Sequence, residues 1–180
     1  MANKRPGVVR RRAGRMAQYL GGLFESEPAV RQSFELGFAE MNACNWDEAI
    51  EQFRKSVMHT KGAGVVALLN LIGVCHYTQG RSDDALRDFQ ESARLGEEFD
   101  DPSGKSRAIG NIGLICHDSG DLDRALGLLE EALTIARESG DCWAEAIQLG
   151  YVGNIHHDKG DLDRALECYR EALAVSREIG

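Results

Sequence analysis

"GDLDRALGLLEEALTIARESG" occupies residues 120–140, "GDLDRALECYREALAVSREIG" occupies 160–180, and 13 of the 21 aligned positions are identical. The match extends backwards, where Gly110, Gly113, Ile115, His117 and Asp118 recur as Gly150, Gly153, Ile155, His157 and Asp158. Weaker copies lie upstream in "GRSDDALRDFQESARLG" (80–96) and "CNWDEAIEQFRKSV" (44–57). Two small residues keep step through all four copies. Gly37, Gly73, Gly113 and Gly153 are spaced by 36, 40 and 40, and Ala49, Ala85, Ala125 and Ala165 follow them, each 12 residues later. Self-similarity at a period of this size marks stacked units, each of which buries its apolar face only against its neighbours.

The third copy shows what one unit builds. Ile109, Ile112, Gly113 and Cys116 fall at helical spacing, and so do Leu122, Ala125, Leu126, Leu129, Ala132 and Leu133. Between the two stripes, Gly120 supplies a stop that tolerates positive φ, and Asp121 supplies an oxygen for the free N–H groups of the second helix. So short a connection makes the two helices antiparallel neighbours. Gly113 and Ala125 are then the small residues that let the two backbones approach.

This arrangement resembles the tetratricopeptide repeat, over about residues 29–180. Four features stay in register: the pairs Leu36–Gly37, Ile72–Gly73, Ile112–Gly113 and Val152–Gly153; the alanines already named; then Phe53, Phe89, Leu129 and Tyr169; then Ser56, Ser92, Ala132 and Ala172. The aromatic residue usual near the start of the first helix is replaced by Ser33, Leu69, Ile109 and Leu149. The period of 40 is similar to the lengthened repeats of cell-polarity adaptors and kinesin-light-chain-like proteins. The resemblance implies an all-α fold, a right-handed α-solenoid. Its units would be 29–61, 62–102, 103–140 and 141–180, after a basic arm at 1–28 with room for an extra helix.

Composition limits the function classes. The net charge is −8, yet residues 1–23 carry six basic side chains and no acid, leaving 15 basic and 29 acidic residues for the rest. An acidic body repels phosphate backbones and argues against nucleic acid as the main partner. No apolar stretch approaches the roughly 20 residues of a membrane span. The five cysteines, at 44, 75, 116, 142 and 168, form no CxxC pair, which suits buried thiols in a reducing, cytoplasmic setting.

In a solenoid the first helices line the inner wall. Their outward stripes contribute Asn70, Val74 and Tyr77; Arg107, Asn111, Leu114 and His117; and Tyr151, Asn154 and His157. An asparagine amide both donates and accepts, so asparagines along this wall would grip the main chain of a peptide whatever its sequence. In the similar adaptors, groove asparagines and arginines bind peptide backbone and acidic side chains, which singles out Arg107 and Asn111. The first repeat adds Phe34, Phe38 and Met41, an apolar stripe that is core, the seat of a helix formed by 8–24, or an exposed anchor.

Cys75–His76, Cys116–His117 and His156–His157 sit at nearly equivalent places, but such places are on the order of 10 Å apart given helix packing distances. A zinc site needs ligands converging at about 2.0–2.3 Å, so these residues are read as packed or groove-lining. His117–Asp118 and His157–Asp158 lack a nucleophile placed beside them. The expectation is therefore a non-enzymatic scaffold without metal or cofactor, binding a partner protein's peptide in its groove. Leu162, Leu166, Tyr169 and Leu173 are left without a polar cap. They predict either a truncated array or a homo-oligomer joined through the last repeat. The remaining alternative is the sensor part of a peptide-responsive regulator.

Overall fold

The computed structural model describes residues 28–179. Every regular element among them is a helix: α1 (Pro28–Asn42), α2 (Trp46–Val57), α3 (Ala63–Thr78), α4 (Ser82–Glu98), α5 (Pro102–Asp118), α6 (Leu122–Ser139), α7 (Cys142–Asp158) and α8 (Leu162–Glu178). They form four antiparallel pairs stacked in chain order, an all-α solenoid.

The local chemistry follows the repeat. Asp121 and Asp161 accept hydrogen bonds from the Arg124 and Arg164 amides at 3.3 and 3.2 Å, capping α6 and α8. Asp101 and Asp141 do the same for Gly104 and Ala144, both at 2.9 Å, at the starts of α5 and α7. These side chains satisfy amides that a helix's first turn leaves unpaired. The turn inside each pair is made by Gly80, Gly120 and Gly160 at φ 79°, 83° and 81°. In the first repeat the same place is held by Cys44 at φ 64°, a conformation an L side chain adopts at a cost of about 1–2 kcal/mol.

The alanine is enclosed in every pair, and in the third the glycine meets it as the sequence predicts. Ala49, Ala85 and Ala125 are fully buried and Ala165 nearly so. A Cβ on Gly113 would stand 3.0 Å from Leu129 Cγ and 3.4 Å from the Ala125 carbonyl oxygen, so the two helices meet there. At Gly37, Gly73 and Gly153 the space is taken by the rings of Phe53, Phe89 and Tyr169. A hydroxyl clips the pairs together as well. Ser56 and Ser92 donate from the second helix to the carbonyls of Val30 and Val66, at 3.3 and 2.8 Å. In the third pair the donor has changed sides, and Ser106 donates to the Ala132 carbonyl at 2.7 Å.

Between pairs, the residue before each glycine reaches back into the preceding unit. Ile72 joins the core around Ala49 and Phe53, Ile112 joins Ala85 and Phe89, and Val152 joins Ala125 and Leu129. The first helices lie side by side, α3 against α5 and α5 against α7. Phe34 and Phe38 are core: both are buried in the first cluster, their ring centroids 5.2 Å apart, and Met41 packs on it half-buried. The segment 8–24 lies outside the described residues.

Candidate binding groove

The residues predicted to line a groove lie on α3, α5 and α7 and differ in exposure. Val74, Tyr77, Leu114 and Tyr151 are half-buried and supply apolar area. Asn154 and His157 are exposed, and Asn111 is half-buried.

Asn70 is a correction. It is buried rather than groove-lining, and its amide nitrogen lies 2.8 Å from Ser92 Oγ, 3.2 Å from the Gly104 carbonyl and 3.3 Å from that of Val66. It ties α3 to α4 and α5. Nor do the asparagines form a column. Asn70 is equivalent to Gly110, and Asn154 to Leu114, while Asn111 stands one residue past the first register. One residue turns a helix by about 100°, so the amides point differently. Asn111 donates to Asn70 Oδ1 at 3.4 Å, and Asn154 Oδ1 accepts from the Tyr169 hydroxyl at 2.8 Å.

Arg107 pairs with Asp141, at 3.4 Å, across the junction between the third and fourth pairs. Both side chains are mostly buried, 17% and 16% exposed. The guanidinium expected to meet a ligand thus also joins α5 to the cap of α7.

The polar chemistry of the wall is a ladder running from one repeat to the next. The Tyr77 hydroxyl donates to Asp118 Oδ2 at 2.5 Å, and His117 Nε2 lies 2.6 Å from Asp158 Oδ2. His157 Nδ1 approaches the other Asp158 oxygen at 3.0 Å. Both long-range contacts join a residue to one 41 positions later, which is one repeat plus one residue. The sequence offers the adjacent pairs His117–Asp118 and His157–Asp158. In the first of these the real partner of the histidine lies across the junction, and only a search at the repeat spacing would have found it. The ladder also bears on the titration of its members. Hydrogen bonds from His157 first, then His117, hold the Asp158 carboxyl below the usual carboxylate range. Burial first, then the bond to Asp118, pushes the Tyr77 phenol above its usual range.

A depressed carboxylate contributes its pairing above its unfolded pKa and loses it as pH falls through the folded one. The Asp158 side chain is therefore expected to titrate below the ~3.9 of free aspartate. In His157→Ala the midpoint should move up. Carbon-detected NMR of the carboxyl measures both, and a midpoint unmoved by the substitution would remove His157 as the main cause.

Other titratable groups are locked into packing. His76 is buried, with Nδ1 2.6 Å from Asp88 Oδ2. Burial pushes the Cys75 thiol up to about 12. All five cysteines are free. No helix among the described residues is long and apolar enough to cross a membrane.

Stacked helix pairs, in which a glycine of the first helix makes room for a leucine or an aromatic ring of the second, define a helical-repeat protein. Two sequence profiles described as tetratricopeptide repeat match residues 64–138 and 146–179, together more than half of the chain. The chain belongs to the tetratricopeptide repeat family. A sequence comparison with curated proteins gave no match.

Solved structures share the fold. The Rap conjugation gene regulator of plasmid pLS20, in complex with the Phr* peptide, superposes with a TM-score of 0.70 at 21% identity, over 81% of this chain and 42% of that one. Aspartyl phosphate phosphatase F from Bacillus subtilis gives 0.73 at 18% identity, over 92% and 45%. BtubC (BKLC) from P. vanneervenii gives 0.70 at 17%, over 93% and 72%. The chain thus spans less than half the length of the first two.

Proposed function

We propose that this array is a protein-interaction scaffold whose inner wall holds an extended or helical peptide segment of a partner protein. The observation that carries the reading is the half-buried apolar strip of Val74, Tyr77, Leu114 and Tyr151, bordered by the exposed polar groups of Asn154 and His157. Apolar area of this kind supplies contact energy, and the polar border fixes orientation. The Rap regulator, of the same fold, is solved with a peptide, which supports the reading. Asn111 and Arg107 belong to the site at its junction-forming side, and His117 holds the ladder at its edge. The free thiols suit a cytoplasmic setting. That likeness also favours, as a second reading, the sensor part of a peptide-responsive regulator.

The test starts from peptides selected out of a random displayed library against the immobilised chain. Their affinities are then measured by fluorescence polarisation. Leu114→Glu and Tyr151→Glu are each expected to weaken binding at least tenfold, about 1.4 kcal/mol. Arg87→Glu, on the exposed side of α4, should leave it unchanged. Selected peptides that bind both groove variants like the parent would refute the groove.

A further inference from the structure

Among the described residues, two helix faces lack the neighbours that their equivalents have inside the stack, and the two complement one another. On α8, Leu162, Leu166 and Leu173 are 63%, 46% and 51% exposed, while the equivalent Leu122 and Leu126 are half-buried and Leu133 is buried. In the third unit that face is covered by α7. On α1, Leu36 is 46% exposed, while its equivalents Ile72, Ile112 and Val152 are all buried against the second helix of the preceding unit. One face offers the seat of an inter-repeat junction, and the other offers the side chain that fills it.

A size match makes the fit specific. A Cβ on Gly110 would come within 2.4 Å of the Gln148 amide, because that buried glutamine from the next unit fills the space above the glycine. Gly150 is the equivalent glycine of α7, and nothing lies within 4 Å of the corresponding Cβ. The residue of α1 equivalent to Gln148 is Gln32, which is exposed. The second junction answers the same position differently, with Asn70 there and Ala108 in the place of the glutamine. The first junction sets two large residues there, Phe34 and Leu68, both buried, so the pairing differs from junction to junction, and the open pair, Gly150 and Gln32, repeats the one already formed by Gly110 and Gln148. The ladder continues in kind. His157 stands where Tyr77 and His117 reach forward to Asp118 and Asp158, and the α1 residue equivalent to those aspartates is Asn42, an exposed hydrogen-bonding side chain.

We infer that the α7–α8 face docks the α1 face of a second copy of this chain, continuing the stack from one molecule to the next. Leu36 of the second copy enters beside Ala165 and Tyr169, and its Gln32 covers Gly150. The contact is heterologous, since two different surfaces meet, so it does not close at a dimer and each added copy presents a fresh α8 face. The groove then runs through successive molecules.

Sedimentation velocity across a concentration series tests this. The parent chain is expected to show a mass average that climbs with concentration past that of a dimer. Leu36→Glu and Leu166→Glu alter residues that are already exposed, and each should give a monomer with unchanged circular dichroism. Mixed in equal amounts, the two variants should recover a dimer and nothing larger, because one keeps a sound α8 face and the other a sound α1 face. Gly150→Leu, whose Cβ would have nothing within 4 Å of it, fills the place of Gln32 and should also give a monomer. A parent chain that stays monomeric at every concentration overturns the proposal. So does Leu36→Glu assembling as the parent does, which would mean α8 pairs with α8, and so does a mixture that stays monomeric.

Discussion

Phe89→Ala is expected to remove about 3–5 kcal/mol of stability, the usual cost of emptying a buried aromatic site. Phe89 is 1% exposed and stands where three helices meet. It belongs to α4, its ring occupies the space left by Gly73 of α3, and it shares a cluster with Ile112 of α5. The cavity would therefore open at the junction of the second and third pairs as well as inside the second. A solenoid is held by neighbour contacts alone, so weakening this junction is expected to divide one cooperative transition into two. Urea unfolding followed by circular dichroism reads both effects, a lower first midpoint and a second, later step. A single transition shifted by less than about 1 kcal/mol would mean that the ring carries little of the packing.

The features that make this prediction were written in the sequence, and those that shape the groove were only half so. Gly73, Ala85 and Phe89 recur at fixed intervals, and helical spacing places them on facing surfaces without knowledge of how one pair sits on the next. The glycine turns and aspartate caps are equally local. Arg107 and Asn70 depend on the junction. Whether Arg107 meets solvent or Asp141, 34 residues on, is set by the rotation between neighbouring pairs, to which no periodicity within one repeat refers. Asn70 has a related cause: residue type alone sets it beside Asn111, but the one-residue offset between them turns the amide of Asn70 into the stack. The Tyr77–Asp118 and His117–Asp158 contacts share a spacing of 41, so a comparison of acidic and donor residues at that interval would have exposed them. Phe34 and Phe38 were ambiguous for a different reason. An apolar stripe on an end helix reads the same whether core or partner covers it, and only burial decides.

Glycine-to-alanine replacements should divide by what stands opposite each residue. Alanine in place of a mid-helix glycine gains about 0.5–1 kcal/mol from backbone entropy alone. At Gly127, in α6, the glycine is exposed and nothing lies within 4 Å of the new Cβ, so Gly127→Ala is expected to stabilise by that amount. At Gly73 the Cβ would fall 2.5 Å from Phe89 Cε1, and the ring is too enclosed to retreat. Overpacking of this kind costs about 1–3 kcal/mol, which outweighs the entropic gain, so Gly73→Ala is expected to destabilise. Gly113 lies between the two, facing Leu129 at 3.0 Å rather than an aromatic ring. If ring collision is the cause, Phe89→Leu should make Gly73→Ala less harmful, because it recreates the pairing of Gly113 with Leu129. The double-mutant cycle isolates that term, with a coupling of about 0.5–3 kcal/mol expected for residues in contact. Additive effects across the cycle would sink the account, since the glycine would then be needed for some reason other than room for the ring.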